Sequence, residues 1–198
     1  MEDHLSALAA WLDAPPEDAA AWVLRLGDSG CSIAPTDLAA LRRTPADRPG
    51  LYSWFADANG AADLSLGLGQ EVVPGLVYVG QTGATRWPSG TPSKATLVSR
   101  LWGQHLRGRR SSSTLRRTLG AVLDARHDTV IDRDDLTSWM FAHLRVVPAP
   151  TTDRYTLSSL ERDVVQAMDP PLNLDHVGAS PVRVRLRELR ATADPFVR

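Results

Sequence analysis

The sequence predicts an α+β protein in which an N-terminal helical extension precedes a small sheet flanked by helices. Apolar residues recur at helical spacing through much of the first 48 residues, which end at prolines. Two short β-prone runs follow at 50–55 and 75–80, each bounded by Gly or Pro. Helical runs then alternate with one more β-prone run at 143–147. This order of elements indicates one compact domain.

Composition excludes several classes of protein. The chain has 198 residues, 43% of them hydrophobic and 23% charged, which is typical of a globular domain and not of a disordered or collagen-like chain. No stretch approaches the ~20 apolar residues of a membrane span. The single cysteine, Cys31, excludes an internal disulfide and favours an intracellular, cytoplasmic location. Of 22 basic residues only Lys94 is a lysine, a bias that suggests a GC-rich bacterial genome.

Residues 1–48 are predicted to form an acidic helical extension. Helices are expected at 5–12, 19–26 and 37–43. Residues 1–49 carry eight acidic and four basic side chains, which makes this part unsuited to gripping a phosphate backbone. It is therefore predicted to contact protein partners or to cover the rest of the fold.

The segments around the predicted strands are assigned from periodicity and caps. Residues 56–75 are too many for a tight hairpin and are expected to extend the strand ladder or form an irregular lobe. The strand at 143–147 is expected to end at Pro148, and 182–189 fits either an edge strand or an amphipathic helix. Four segments show helical spacing or a helix cap: 96–107, the run after Ser113, the run capped by Asp132 or Asp134, and 156–168.

Positive charge is concentrated in one block. Residues 81–126 carry nine basic side chains and one acidic, although the whole chain has a net charge of −1. Such a block is the footprint of a polyanion-binding face, because Lys and Arg on phosphates release condensed counterions. A solvated pair of arginine-rich helices is the alternative. The residues predicted to contact a nucleic-acid backbone are Lys94, Arg107, Arg109, Arg110, Arg116 and Arg117.

One carboxylate interrupts an apolar helix face. The helix predicted at 156–168 carries an apolar stripe that includes Leu157, Leu160 and Val164. Glu161 falls within that stripe. A buried carboxylate is costly unless it is paired with a cation or bound to a metal. Two interpretations are open: a structural ion pair with an arginine, and a metal ligand.

Two tyrosine-containing tripeptides lie on successive predicted strands. Gly50-Leu51-Tyr52 and Tyr78-Val79-Gly80 place their tyrosines 26 residues apart. They resemble the two half-motifs of the GIY-YIG nuclease superfamily. Later residues match in order: Arg100 on the first helix after the second strand, Glu161 on the helix after the third, and Asn173 12 residues later. The resemblance covers about residues 49–175, and its specificity lies in the ordered combination.

The resemblance implies a fold and a chemistry. The fold is a small three-stranded antiparallel sheet flanked by helices, with a nuclease-like domain at 49–175 and a basic segment, 176–198, packed on it. The chemistry is endonucleolytic hydrolysis of a phosphodiester bond with one divalent metal, Mg²⁺ or Mn²⁺, held by Glu161, because hard cations prefer oxygen ligands. DNA is the expected substrate, ahead of RNA.

The same resemblance implies a role for each of the other signature residues. Arg100 would stabilise charge on the phosphoryl oxygens, since a guanidinium keeps its charge and offers forked donors. Tyr52 would position or deprotonate the attacking water, and the second role requires nearby cations to lower its ordinary pKa of about 10. Tyr78 would assist by hydrogen bonding to water or phosphate, and Asn173 would order the loop beside the metal.

His105 is a sixth candidate. It lies five residues after Arg100, while Gln104 occupies the position one helical turn on. Five residues rotate by about 140° on a straight α-helix, so His105 is not expected on the face of Arg100. A catalytic role and a half-buried packing role beside Leu101 and Trp102 are both open.

A second class of function fits the same residues. A catalytically silent protein that kept the fold would bind nucleic acid, or act as a regulator, without cleaving it. The presence of all five signature positions favours the enzyme. No feature of the sequence predicts an oligomeric state.

Overall fold

The centre of the fold is a three-stranded antiparallel sheet. A computed structural model describes residues 16, 18–44, 46–86 and 89–193. The strands are β1 (Gly50–Ala56), β2 (Gly75–Thr82), β3 (Thr85–Arg86), β4 (Thr91–Pro92) and β5 (Leu144–Pro150). Antiparallel pairing gives the order β2-β1-β5 in the main sheet, and a separate small hairpin pairs β3 with β4. The predicted architecture is confirmed.

Helices flank this sheet in the described parts of the chain. They are α1 (Ala19–Gly27), α2 (Ala58–Leu68), a π-helix (Ser99–Leu106), α3 (Thr114–His127), α4 (Arg133–His143), α5 (Leu157–Met168) and α6 (Pro181–Thr192). The predicted helices at 19–26 and 156–168 are confirmed as α1 and α5. Ser113 caps α3 and Asp132 caps α4, as expected. None of these helices is long and apolar enough to cross a membrane.

The described part of the N-terminal extension covers one face of the sheet. Trp22 and Leu26 on α1 are buried in a cluster that contains Leu51 and Val79 of the sheet. The helix predicted at 37–43 is a short 3₁₀ helix, Pro35–Leu41. The helix predicted at 5–12 lies outside the described residues. Covering the fold is thus one function of the extension, and contact with a protein partner remains a prediction.

The prediction for residues 56–75 is wrong, because most of this segment is the helix α2. Asp57 caps its start by accepting a hydrogen bond from Gly60 N at 2.7 Å, and Gly69 ends it at φ 62°. Leucines at every second position, 64, 66 and 68, are a pattern typical of a strand. In the helix Leu64 and Leu68 lie one turn apart and are buried, whereas Leu66 is exposed.

β5 continues beyond the end predicted for it. Pro148 lies within the strand opposite Tyr52, and the strand runs to Pro150. β5 is an edge strand of the sheet, and Val146 N donates outward to Ile33 O at 3.0 Å. Residues two apart on a strand point their backbone groups to the same side, so the missing N–H of Pro148 lies on this outer side. It removes no hydrogen bond to β1.

Of the two alternatives for residues 182–189, the helix is confirmed. α6 begins at Pro181, and Ser180 caps it by accepting a hydrogen bond from Arg183 N at 3.3 Å. Arg183 is buried and donates to the carbonyl groups of Asp169, Pro170, Asn173 and Gly178. α6 therefore fixes the loop that follows α5.

Candidate active site

The glycines of the two half-motifs permit close approaches. A Cβ on Gly50 would lie 2.3 Å from the carbonyl oxygen of Ala149, so β1 could not approach β5 as it does. Gly80 lies opposite Tyr52 in the β1–β2 pair. A Cβ on Gly80 would lie 2.6 Å from Tyr52 Oη and 3.0 Å from the ring of Tyr78. Glycine at this position leaves room for both tyrosine rings.

The π-helix places Arg100 and His105 on one face. Its hydrogen bonds run from residue i to i+5, so residues five apart are stacked. Arg100 Nε lies 3.4 Å from Tyr52 Oη, and His105 Nε2 lies 2.7 Å from the same oxygen. The expectation that His105 would lie away from Arg100 is therefore wrong, because it assumed α-helical winding. His105 is fully buried, in direct contact with Tyr52.

Burial controls the ionisation of the tyrosines. It raises the pKa of Tyr52 to about 12, and the positive charge of Arg100 offsets only part of this. Burial also raises the pKa of Tyr78. Both phenols are thus protonated near neutral pH. Tyr52 could deprotonate water only if nearby cations lowered its pKa, and Arg100 alone does not lower it enough.

Glu161 is a half-buried carboxylate on α5. It forms no ion pair with any basic side chain that the structure describes. A backbone N–H of Gln81 donates to it. Burial raises its pKa to about 7, against the opposing influence of Arg100, and Asp175 adds to the rise. Of the two interpretations of Glu161, the structural ion pair is not found.

This carboxylate is expected to reduce stability as the pH rises from about 4.5 to about 7. Folding raises the pKa of Glu161 from 4.5 to about 7. The folded state therefore loses stability as the pH rises through this interval, and it loses none below pH 4.5, where the carboxyl group is protonated in both states. Glu161→Gln should therefore raise the free energy of unfolding by about 3 kcal/mol at pH 8 and leave it unchanged at pH 4. Urea denaturation in chelator measures this. Asp163→Asn, on an exposed face of α5, should show no such pH dependence. A loss of stability in Glu161→Gln at pH 8 would contradict the assignment.

Glu161 and Gln81 carry oxygen atoms of the kind that a hard divalent cation takes as ligands. No group of three or more His, Cys, Asp or Glu side chains could hold a metal in the described residues, so Glu161 would be one protein ligand among water and substrate oxygens. The amide oxygen of Gln81 is buried without a hydrogen-bond partner among those residues. Gln81, Arg100 and Gln104 line a cavity of about 400 Å³. Oxygen ligands suit Mg²⁺ or Mn²⁺ better than zinc.

Asn173 forms hydrogen bonds to the edge of the sheet. Its amide oxygen accepts from Val79 N at 3.0 Å, and its amide nitrogen donates to Val79 O at 2.8 Å. Leu172 N donates to Val77 O at 3.0 Å in the same way. This segment thereby pairs with the outer edge of β2 and holds Tyr78 and Gly80 in register, since both flank Val79.

Two of the predicted phosphate contacts are wrong. Arg110 is buried and makes a bidentate ion pair with Asp124 at 2.6 and 2.8 Å. Arg116 is fully buried, and its guanidinium donates to carbonyl groups of His105 and Leu106. Neither side chain can reach a nucleic-acid backbone in this fold, because both are covered by protein.

The remaining predicted contacts lie at the surface. Lys94, Arg107 and Arg109 are exposed, and Arg107 stacks over the ring of Trp102 at 4.4 Å. Arg117 is half-buried and donates to Arg190 O at 3.1 Å.

Sequence reasoning missed two arginines that share a cleft with Arg117. Arg187 and Arg190 on α6 line this cleft of about 490 Å³ together with Leu174 and Asp175. Arg187 and Arg190 lie four and seven residues after Arg183, so all three are on one face of the helix. This spacing could have been recognised in the sequence as a basic helix face.

The fold and site together define a nuclease-type domain. Two tyrosines from adjacent strands, an arginine from the next helix and the half-buried carboxylate of Glu161 interact electrostatically in one place. A family model described as the GIY-YIG catalytic domain matches residues 50–192, and the chain belongs to this family. Its members are nucleases that generally depend on a divalent metal. Comparison with curated proteins and with solved structures gave no match.

Proposed function

We propose that this protein is a metal-dependent endonuclease that hydrolyses phosphodiester bonds in DNA. The observation that supports this best is Glu161: a half-buried carboxylate, without an ion-pair partner in the described residues, beside Arg100 and the two tyrosines. Desolvating such a group costs stability, and a bound cation would offset that cost. Mg²⁺ or Mn²⁺ is the cation expected at this position.

Each residue of the site has a distinct role in the proposal. Glu161 holds the metal, which supplies polarisation of the phosphate and stabilisation of the leaving oxygen when bound. Arg100 lines the open cavity and donates hydrogen bonds to the phosphoryl oxygens where negative charge builds. Tyr52 orients the attacking water through its hydroxyl group. Asn173 keeps β2 in place and acts as a positioning residue.

The nucleic-acid backbone is expected to follow the exposed basic residues around the site. Lys94, Arg107 and Arg109 lie on the stretch of chain that carries the π-helix, where Arg100 is found. The cleft of Arg117, Arg187 and Arg190 is electrostatically linked to the site, because Arg190 interacts with Tyr78. Contacts of this kind position a strand without reading its sequence.

Incubation of the purified chain with closed circular plasmid, single-stranded DNA and RNA tests the proposal. Each substrate is incubated with Mg²⁺, with Mn²⁺ and with chelator. The expected result is nicked and linear plasmid in the metal reactions only. A closed circle has no ends, so its cleavage shows endonuclease action. Binding without products in every reaction would favour the silent binding protein, and preferred cleavage of RNA would correct the substrate.

Removal of Arg107 and Arg109 together should flatten the salt dependence of DNA binding. Each phosphate contact that is lost lowers the slope of log K against log salt concentration by about 0.9. In the double alanine variant, the magnitude of this slope should therefore be smaller by about 0.9 to 1.8 than in the wild type. Fluorescence anisotropy on a short duplex, in chelator between 50 and 200 mM salt, measures it.

A matched control for this pair is the double alanine variant of Arg42 and Arg43. These two arginines are likewise close in sequence and exposed, but they follow the acidic N-terminal helices. This control should keep the wild-type slope. An equal loss of slope in both double variants, or none in either, would contradict the proposed interface.

A further inference from the structure

Two helices bring three arginines together in a cleft beside the candidate active site. Arg117 lies on α3, and Arg187 and Arg190 lie on α6, which packs against α3. The cleft has a volume of about 490 Å³. It shares no described lining residue with the cavity that Arg100 lines. The two are therefore separate features of the surface.

These arginines have no carboxylate partner among the residues that the structure describes. Within that part of the chain, none of the three forms an ion pair with an acidic side chain. Their hydrogen bonds go to backbone carbonyl groups instead. Arg117 donates to Arg190 O at 3.1 Å, and Arg187 donates to Leu174 O at 3.5 Å. The positive charges in the cleft are thus not neutralised by these contacts.

Arg117 and Arg190 are unfavourable neighbours in the free protein. Both are half-buried. Arg117 Nε is buried, and it makes no hydrogen bond to any residue that the structure describes. Burial lowers the pKa of Arg190, and the positive charge of Arg117 lowers it further. A bound anion would offset both the desolvation of these groups and their mutual repulsion.

The charges in the cleft favour phosphate as the ligand. Asp175 also lines the cleft, so its ionised side chains are three arginines and one aspartate, with a net charge of +2. Arginine matches phosphate well, because its planar group can donate to two oxygens at once. A phosphate monoester carries a charge of about −1.5 to −2 at neutral pH. Either one monoester or two neighbouring phosphodiesters would balance the charge of the cleft.

The cleft adjoins the candidate active site. Arg190 interacts electrostatically with Tyr78, and Asp175 interacts in the same way with Glu161. Such interactions weaken with distance, so these groups lie near one another. A strand whose cleaved phosphate lies at Glu161 therefore has a further phosphate within reach of the cleft.

We propose that the cleft of Arg117, Arg187 and Arg190 is a second phosphate-binding subsite, which holds a phosphate group of the substrate other than the one that is cleaved. This phosphate comes either from the end of a strand or from within it. Binding of phosphate in the cleft stands independently of activity, while the identity of its carrier as a nucleic acid rests on the proposed function.

Arginine side-chain NMR of the ¹⁵N-labelled protein tests the subsite directly. The protein is titrated with inorganic phosphate at constant ionic strength and without added metal. The Nε–H of Arg117 is shielded from water, so it should give a slowly exchanging signal of its own. Phosphate should shift the signals of Arg117 and Arg190 in the wild type, whether or not any variant folds. A shift confined to Arg100, or no shift at all, would overturn the proposal.

Replacement of either half-buried arginine should weaken this binding. Arg117→Gln and Arg190→Gln should each raise the midpoint of the phosphate titration about 10-fold, because each removes a charged donor. Arg185→Gln is the matched control, since Arg185 is exposed on the same helix and pairs with Glu188 at 3.2 Å. It should keep the wild-type midpoint within about twofold. An equal rise in Arg185→Gln and Arg190→Gln, or none in Arg190→Gln, would contradict the subsite.

Three single-stranded oligonucleotides of one sequence identify the source of the phosphate. One carries a 5′ phosphate, one a 3′ phosphate and one neither, and fluorescence anisotropy of an internal label without metal measures their binding. Tighter binding of a phosphorylated strand, abolished by Arg190→Gln, would identify a strand end. Equal binding of all three, weakened equally by Arg190→Gln, would identify an internal phosphate. Unchanged binding of all three in Arg190→Gln would overturn the assignment of the cleft to the substrate.

Cleavage gives a separate readout. If the wild type cleaves DNA, Arg117→Gln should raise KM about 10-fold and leave kcat within about threefold, because a contact made equally before and in the transition state contributes to binding alone. A lower kcat at unchanged KM would contradict this role. Absence of cleavage by the wild type would refute the proposed function, while the NMR result on the cleft would still stand.

Discussion

Glutamine in place of Glu161 is expected to reduce metal-dependent DNA cleavage by at least about 10³-fold, because the amide cannot supply the negative charge that a hard cation requires. A loss of this size corresponds to about 4 kcal/mol of transition-state stabilisation. DNA binding, measured in chelator, should stay within about twofold of the wild type, since the basic surface is unchanged. Initial rates on plasmid with Mg²⁺ or Mn²⁺ measure the first effect, and fluorescence anisotropy measures the second.

The matched control is Asp163→Asn, which removes a carboxylate from the exposed side of the same helix. It should cleave at the wild-type rate. If Glu161→Gln cleaves within threefold of the wild type, Glu161 is not the metal ligand. If both variants lose activity together, the loss comes from α5 as a whole and not from this side chain.

The second large effect concerns stability. Arg116→Met should lower the free energy of unfolding by about 4 kcal/mol, because several buried acceptors lose their donor at once. The guanidinium donates to the carbonyl oxygens of His105, Leu106 and Arg133, and to Thr137 Oγ1, at 2.7 to 3.0 Å. Burial lowers the pKa of this arginine to about 10, yet the group keeps its charge at neutral pH. Urea denaturation monitored by tryptophan fluorescence measures the change.

Arg109→Met separates this structural role from a phosphate contact. Arg109 is exposed, so its replacement should change stability by no more than about 0.5 kcal/mol. It should weaken DNA binding at low salt instead. The structural role of Arg116 is contradicted if Arg116→Met unfolds at the wild-type urea concentration and weakens DNA binding as Arg109→Met does.

Local sequence carried much of the fold and the signature. Asp132, Ser113 and the prolines after α5 are short-range signals, and each capped or ended a helix where expected. The two tyrosine tripeptides were recognisable because their glycines permit close approaches that other residues would obstruct. The alternating leucines at 64–68 led to the wrong prediction of an extended or irregular segment, because alternation over five residues fits a strand and also a helix with one buried face.

Other features of the site had no local signal. His105 contacts Tyr52 because the π-helix has hydrogen bonds from residue i to i+5. The prediction assumed an α-helix, in which His105 would lie on a different face from Arg100. Counting charges could not separate Arg110 and Arg116 from Arg107 and Arg109, because burial depends on what packs over each side chain. The pKa of Tyr52 likewise depends on burial by distant segments, and it moved upward although Arg100 is adjacent.

The sequence alone determined the order of the three strands of the main sheet, the family signature and the position of Glu161 on an apolar helix face, since these depend on residue type and spacing along the chain. Tertiary structure decided which charges reach the surface, which carboxylate lacks a partner and which nitrogen of His105 faces Tyr52. Those properties depend on desolvation and on hydrogen bonds between segments far apart in the chain, and such contacts exist only when the chain is folded.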